Sequence, residues 1–134
     1  MKVYLDFDGT VVEHAYPNIG KLNPGSFAII KKLQSAGHEL ILNTYRSDVD
    51  DGSIKEAINY LNLNKEFKIE PILKRTKRKL DPPEWDLNRF IKNNVMYIDD
   101  ICKGTPMRNN ISLKNGKMVD WIELDKQLIE YKLY

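Results

Sequence analysis

Short apolar runs that alternate with helix-like stretches, and that break off into acids or a threonine, most narrow what this chain can become. The run from Val3 to Phe7 is crossed by Asp6 and ends at Asp8-Gly9. His38 to Asn43 ends at Thr44, and Val95 to Ile98 ends at Asp99-Asp100. Runs of this length, bounded by turn residues, read as buried strands. Phe67 to Leu73 reads as a weaker strand, and Pro71 inside it predicts an edge position. Residues 11–22, with Pro17 and Gly20, read as a loop. Asn23-Pro24 reads as the N-cap and first-turn proline of a helix. Phe27, Ile30 and Leu33 recur along it at helical spacing, and Gly37 closes it. Ser53 with Glu56 reads as a capping box for a second helix, with Ile54, Ala57, Ile58 and Leu61 on one face. Pro82-Pro83 opens a third that runs to about Lys92. Ile111 to Val119 holds a short strand and an Asn115-Gly116 turn, a hairpin signal. Trp121, Leu124 and Leu128 mark a C-terminal helix.

Strands alternating with helices build right-handed βαβ units and a parallel sheet. The expected fold is α/β: three Rossmann-like layers around a mainly parallel central sheet, in one domain over residues 1–134. That length suits a single core. A composition of 42% hydrophobic and 30% charged residues excludes a disordered or collagen-like chain. No apolar run approaches the ~18 residues of a membrane span. The one cysteine, Cys102, can form no intrachain disulfide, which fits a reducing compartment, and Asp6 interrupts any secretory leader. The expected location is cytoplasmic. His14 and His38 show no ligand spacing and read as solvent-facing or packing residues.

In parallel sheets of this kind, ligands bind beyond the carboxyl ends of the strands, where the strand order reverses. Asp6-x-Asp8, Thr44 and Asp99-Asp100 all fall at those ends. Converging carboxylates repel one another unless a cation neutralises them. A set of oxygen donors favours a hard ion, above all Mg²⁺, which shares its shell between carboxylates, water and substrate phosphate. Asp6 and Asp8, two apart in extended chain, share a face. Gly9 allows a sharp turn with amides turned toward an anion. A phosphate ester is the matching substrate. Asp6 can attack phosphorus, Asp8 can protonate the leaving oxygen and then deprotonate water, and Thr44 can hold a phosphoryl oxygen. A lysine would offset charge on the transferring group.

These motifs resemble those of the haloacid dehalogenase-like phosphohydrolases. Asp6-Phe7-Asp8-Gly9-Thr10-Val11 is similar to their first motif, Thr44 to the second and Asp99-Asp100 to the fourth, in the same order. The resemblance covers the chain from Val3 to about Pro106. It implies that Asp6 is the nucleophile of a phosphatase and Asp8 the general acid/base. Mg²⁺ would be bound by Asp6, the main-chain carbonyl of Asp8 and one or both of Asp99 and Asp100. Gly9 and Thr10 belong to the phosphate-binding loop, and Arg46 is a candidate phosphate ligand. The third-motif lysine has three candidates: Lys79 foremost, then Lys77, then Lys74. A response-regulator receiver also gathers aspartates, Thr and Lys around Mg²⁺, but in a different order along the chain.

Relatives in that family often carry a cap domain, and neither residues 11–22 nor the stretch from Leu73 to Pro82 has room for one. A capless site implies either a phosphate carried on a large molecule or a partner subunit that covers the opening. The net charge of +2 announces no polyanion partner, yet residues 65–79 hold seven basic side chains (Lys65, Lys68, Lys74, Arg75, Lys77, Arg78, Lys79) against two acids. The expected activity is therefore hydrolysis of a phosphate monoester. The alternatives are processing of a nucleic-acid end of the 3′-phosphate kind, or a nucleic-acid-binding module.

Overall fold

In the computed structural model, Lys2–Leu5 (β1) lies between Glu39–Leu42 (β2) and Val95–Ile98 (β4), and Ile69–Pro71 (β3) pairs with the far side of β2. The sheet order is β3-β2-β1-β4, parallel throughout. The structure describes residues 1–63, 67–110 and 116–134. The strand pleat explains the sheet. Val3, Leu5, Leu40, Leu42, Met96 and Ile98 project to one side and are lost to solvent. Their neighbours Tyr4, Ile41 and Tyr97 project to the other and are half-buried. Pro71 stands on the edge strand, as its missing N–H requires.

Among the described residues, four helices complete three layers: Ser26–Ser35 (α1), Ser53–Asn62 (α2), Leu87–Asn93 (α3) and Trp121–Glu130 (α4). The chain steps from β1 through α1 to β2 and through α2 to β3 in one direction. Right-handed crossovers put both helices on one face. Phe27 of α1 meets Tyr60 of α2 with ring centroids 5.9 Å apart, and Lys32 of α1 pairs with Asp125 of α4. The path then returns past β1 to β4, so α3 lies on the tyrosine face, where Phe90 contacts Tyr97. Met107–Asn109 (β5) and Lys117–Val119 (β6) form a small antiparallel ribbon. The expected 111–119 strand is represented there by β6, while Ile111 and the Asn115 side of its turn lie outside the described residues. Among the described residues, no helix is long and apolar enough to cross a membrane.

Three helix starts differ from the sequence expectation. Gly25, at φ 85°, caps α1 in place of Asn23. Asn23 is buried, and its amide donates to the carbonyls of Thr10 (2.9 Å) and Val119 (2.7 Å). Gly52 caps α2 in place of Ser53, and the Ser53 N–H donates to Asp51 (2.9 Å). Residues 82–86 form no helix, and α3 starts five residues after Pro82, capped by Asp86. Tertiary bonds hold that segment out of the helix: Trp85 N–H donates to the Lys103 carbonyl (2.8 Å) and Cys102 Sγ to that of Pro83 (2.7 Å). Gly37 does end α1. Its N–H and that of His38 close back on Gln34 and Leu33 in a Schellman pattern.

Candidate active site

Strand order reverses at β1, so the crevice of this sheet opens beyond the carboxyl ends of β1 and its neighbours. Register then sets the floor. Leu5 pairs with both Leu42 and Ile98, so Asp6, Asn43 and Asp99 stand one residue beyond the strands at the same level. Asp6 N–H donates to the Ile98 carbonyl (3.0 Å) and Asn43 N–H to that of Leu5 (2.8 Å). Asp6, Asp99 and Asp100 each turn a carboxylate oxygen inward, all within 4.8 Å of one another. A cavity of about 380 Å³ opens above them. Its walls include Asp8, Thr44, Arg78, Lys79 and Tyr45, with His14 and Tyr16 contributed by the 11–22 loop.

The electrostatics follow from this crowding. Burial, then the charges of Asp99 and Asp100, holds the Asp6 carboxyl well above the usual carboxylate range. Burial also pushes Asp99 up to about 7, with Asp100 adding to the shift. The Ile101 N–H bond and the nearby Arg78 charge pull it the other way. Three carboxylates crowded at this spacing, with Asp6 and Asp99 pushed toward their neutral forms, offer oxygen donors that fit a hard divalent cation.

The first loop is built to admit Asp100. Gly9 sits at φ 78°, and a Cβ there would lie 2.3 Å from Asp100 Oδ2. Phe7's carbonyl accepts the N–H groups of Thr10 and Val11, while Trp121 Nε1 donates to the Thr10 carbonyl (2.7 Å). Thr10 is buried and its hydroxyl donates to Asp6 Oδ2 (3.0 Å). It orients the carboxylate and has no proton left for a phosphate.

Asp8 reaches the cavity, but its carboxylate is not among the three clustered acids. It forms a bidentate pair with Arg46, Nε to Oδ2 and Nη2 to Oδ1, both 2.7 Å. Arg46 is fully buried. Its other donors go to the carbonyls of Pro17 (3.1 Å), Asn18 (2.8 Å) and Ser53 (3.2 Å). All five N–H groups are thus engaged, which corrects the expectation of Arg46 as a phosphate ligand. Arg46 fastens the 11–22 loop to Asp8 instead, with Phe7 and Tyr16 rings near its guanidinium.

Thr44 lies in extended backbone at the start of the Tyr45–Asp48 turn. Its hydroxyl oxygen accepts the Arg46 N–H (3.2 Å), and its proton remains available to the cavity it lines. Of the three candidate lysines, Lys79 alone lines this cavity, its Nζ 5.5 Å from the Tyr4 ring centre. Lys77 and Lys74 are exposed and do not line it, because the Arg75–Lys77 turn carries them away from the wall.

Sequence reasoning missed Asn43 and Arg78. Asn43 Oδ1 accepts from Lys79 N–H (3.0 Å) and its Nδ2 donates to the Lys79 carbonyl (3.1 Å). Arg78 donates to Asn43 and to Asp48. The polar Asn43 beside Thr44, at a strand end, was the available signal.

No family model matches the chain, and no curated protein matches it significantly. A solved structure of a conserved protein from Bacteroides thetaiotaomicron is similar, at 27% identity and a TM-score of 0.59. The match covers 98% of this chain and 91% of that one.

Proposed function

We propose that this chain is a Mg²⁺-dependent phosphatase that hydrolyses a phosphate monoester through an aspartyl phosphate on Asp6. One observation carries the reading: three acids from two strand ends lie within 4.8 Å of one another beneath a cavity that Thr44 and Lys79 also line. Asp6, Asp99 and Asp100 would hold the ion, which when bound neutralises phosphoryl oxygens and the acids themselves. An oxygen of Asp6 forms the bond to phosphorus as the ester P–O bond breaks. Asp8, a carboxylate in its pair with Arg46, takes the proton that a monoanionic ester brings on its phosphoryl group and passes it to the departing oxygen. It then takes one from the water whose attack on phosphorus releases inorganic phosphate and restores Asp6. Each Asp8 oxygen keeps a lone pair beyond its bond to Arg46, so Arg46 acts as a positioning residue for that proton transfer. The Thr44 hydroxyl and the Lys79 ammonium balance charge on the transferring group. This chemistry is that of the haloacid dehalogenase-like enzymes the motifs resemble.

The test is turnover of a chromogenic phosphate ester with Mg²⁺ and with chelator. Activity should require the metal, and Asp6→Asn should lower it by about three orders of magnitude or more. Wild-type turnover by that variant would remove Asp6 as nucleophile.

A further inference from the structure

Beside the acidic floor, the same opening carries features that hydrolysis of a small ester does not use. Residues 74–79 hold five cationic side chains and no acid. Two of them are accounted for: Arg78 is buried against Asp48 and Asn43, and Lys79 lines the cavity. The other three, Lys74, Arg75 and Lys77, are exposed on the turn that leads into the cavity wall, and none has an acidic partner among the described residues. The rim is apolar. Tyr45, Leu80 and Ile101 line the cavity yet expose 57%, 54% and 67% of their surface. No inserted segment covers them among the described residues.

We propose that Lys74, Arg75 and Lys77, together with this rim, extend the site into a binding track for a single-stranded oligonucleotide whose terminal phosphate enters the cavity. The claim rests on the phosphatase reading for its chemistry but not for its binding. A line of cations outside the cavity suits a ligand that repeats its negative charge beyond the reacting phosphate. The exposed Tyr45 ring at the cavity rim suits a base. A small phosphorylated metabolite would leave both unused. A phosphoprotein would supply one phosphate and no regular charge for the turn. Lys65, the outermost basic residue of the same stretch, lies outside the described residues.

The experiment compares an oligonucleotide phosphorylated at one end, its matching mononucleotide, a phosphopeptide and p-nitrophenyl phosphate. Oligonucleotides carrying the phosphate at either end are included. Each is followed by kcat/KM, and oligonucleotide binding is read separately by fluorescence anisotropy in chelator. Three phosphate contacts to a single strand predict a loss of roughly 20-fold in affinity between about 50 and 200 mM salt. The Lys74→Ala/Arg75→Ala variant should cut that loss to about 3-fold. The oligonucleotide should also exceed its mononucleotide in kcat/KM at low salt, by a margin that shrinks in the variant. Equal salt response in variant and wild type, no preference over the mononucleotide, or preference for the phosphopeptide would each overturn the proposal. Salt-dependent binding without turnover of any substrate would sustain the track and overturn the phosphatase reading instead.

Discussion

At position 9 the absence of a side chain lets Asp100 stand against the first loop, since a methyl group there would sit 2.3 Å from its carboxylate oxygen. Gly9→Ala adds this clash to a backbone conformation costing an L-residue roughly 1–2 kcal/mol. It should weaken Mg²⁺ binding at least ~10-fold in calorimetry, and unchanged affinity would show that Asp100 takes no part in the site. Arg46 makes the converse point. Arg46→Met would strand a buried carboxylate and three carbonyls. Loss of one partner of such a pair costs about 3–5 kcal/mol, which urea unfolding would read directly. The acid cluster adds a pH signature. Asp6 and Asp99 bind protons more tightly folded than unfolded, where a carboxyl titrates near 3.8. Their stabilising contribution is therefore complete below that value and is lost as pH rises, through about 7 for Asp99. In chelator the protein should melt lower at about pH 8 than at about pH 5, and Mg²⁺ should raise the melting temperature more at the higher pH. A metal effect independent of pH would contradict this assignment of the acids.

At the scale of elements, the strand ends do the positioning. Asn43, one residue past β2, ties the Lys79 backbone by two hydrogen bonds and so fixes a loop residue to the sheet. Lys79→Ala should lower kcat on a small ester about 100-fold with little change in unfolding free energy, and an unchanged kcat would remove it from the site. The strands, their parallel order and their polar ends were legible because burial and turn chemistry coincide there: Val3 and Leu5 inside, Asp6 just beyond. The helix starts were less legible. Asn23 and Ser53 have the right chemistry for caps, but Asn23 is drawn to the Thr10 and Val119 carbonyls, distant in sequence, and Ser53 to its place inside the first turn. The Asp8–Arg46 pair was hidden for the same reason. Both residues were singled out as site residues, yet their mutual contact spans 38 positions that local pattern does not connect.

At the scale of the whole molecule, a four-stranded parallel sheet with helices on both faces leaves one reversal of strand order, and the candidate site lies there. The acidity of the site follows from that topology, which brings the ends of β1 and β4 side by side, and the 11–22 loop between β1 and α1 supplies part of its wall. The central claim is that acids brought from β1 and β4 share one divalent ion while an oxygen of Asp6 faces phosphorus. A crystal structure grown with Mg²⁺ and trifluoroberyllate, a mimic of a phosphoryl group on a carboxylate, tests it most directly. The account predicts beryllium bonded to an Asp6 oxygen, fluorines facing Thr44 and Lys79, and the ion held among Asp6, Asp99 and Asp100. Beryllium on another side chain, or an ion bound away from these three acids, would contradict it.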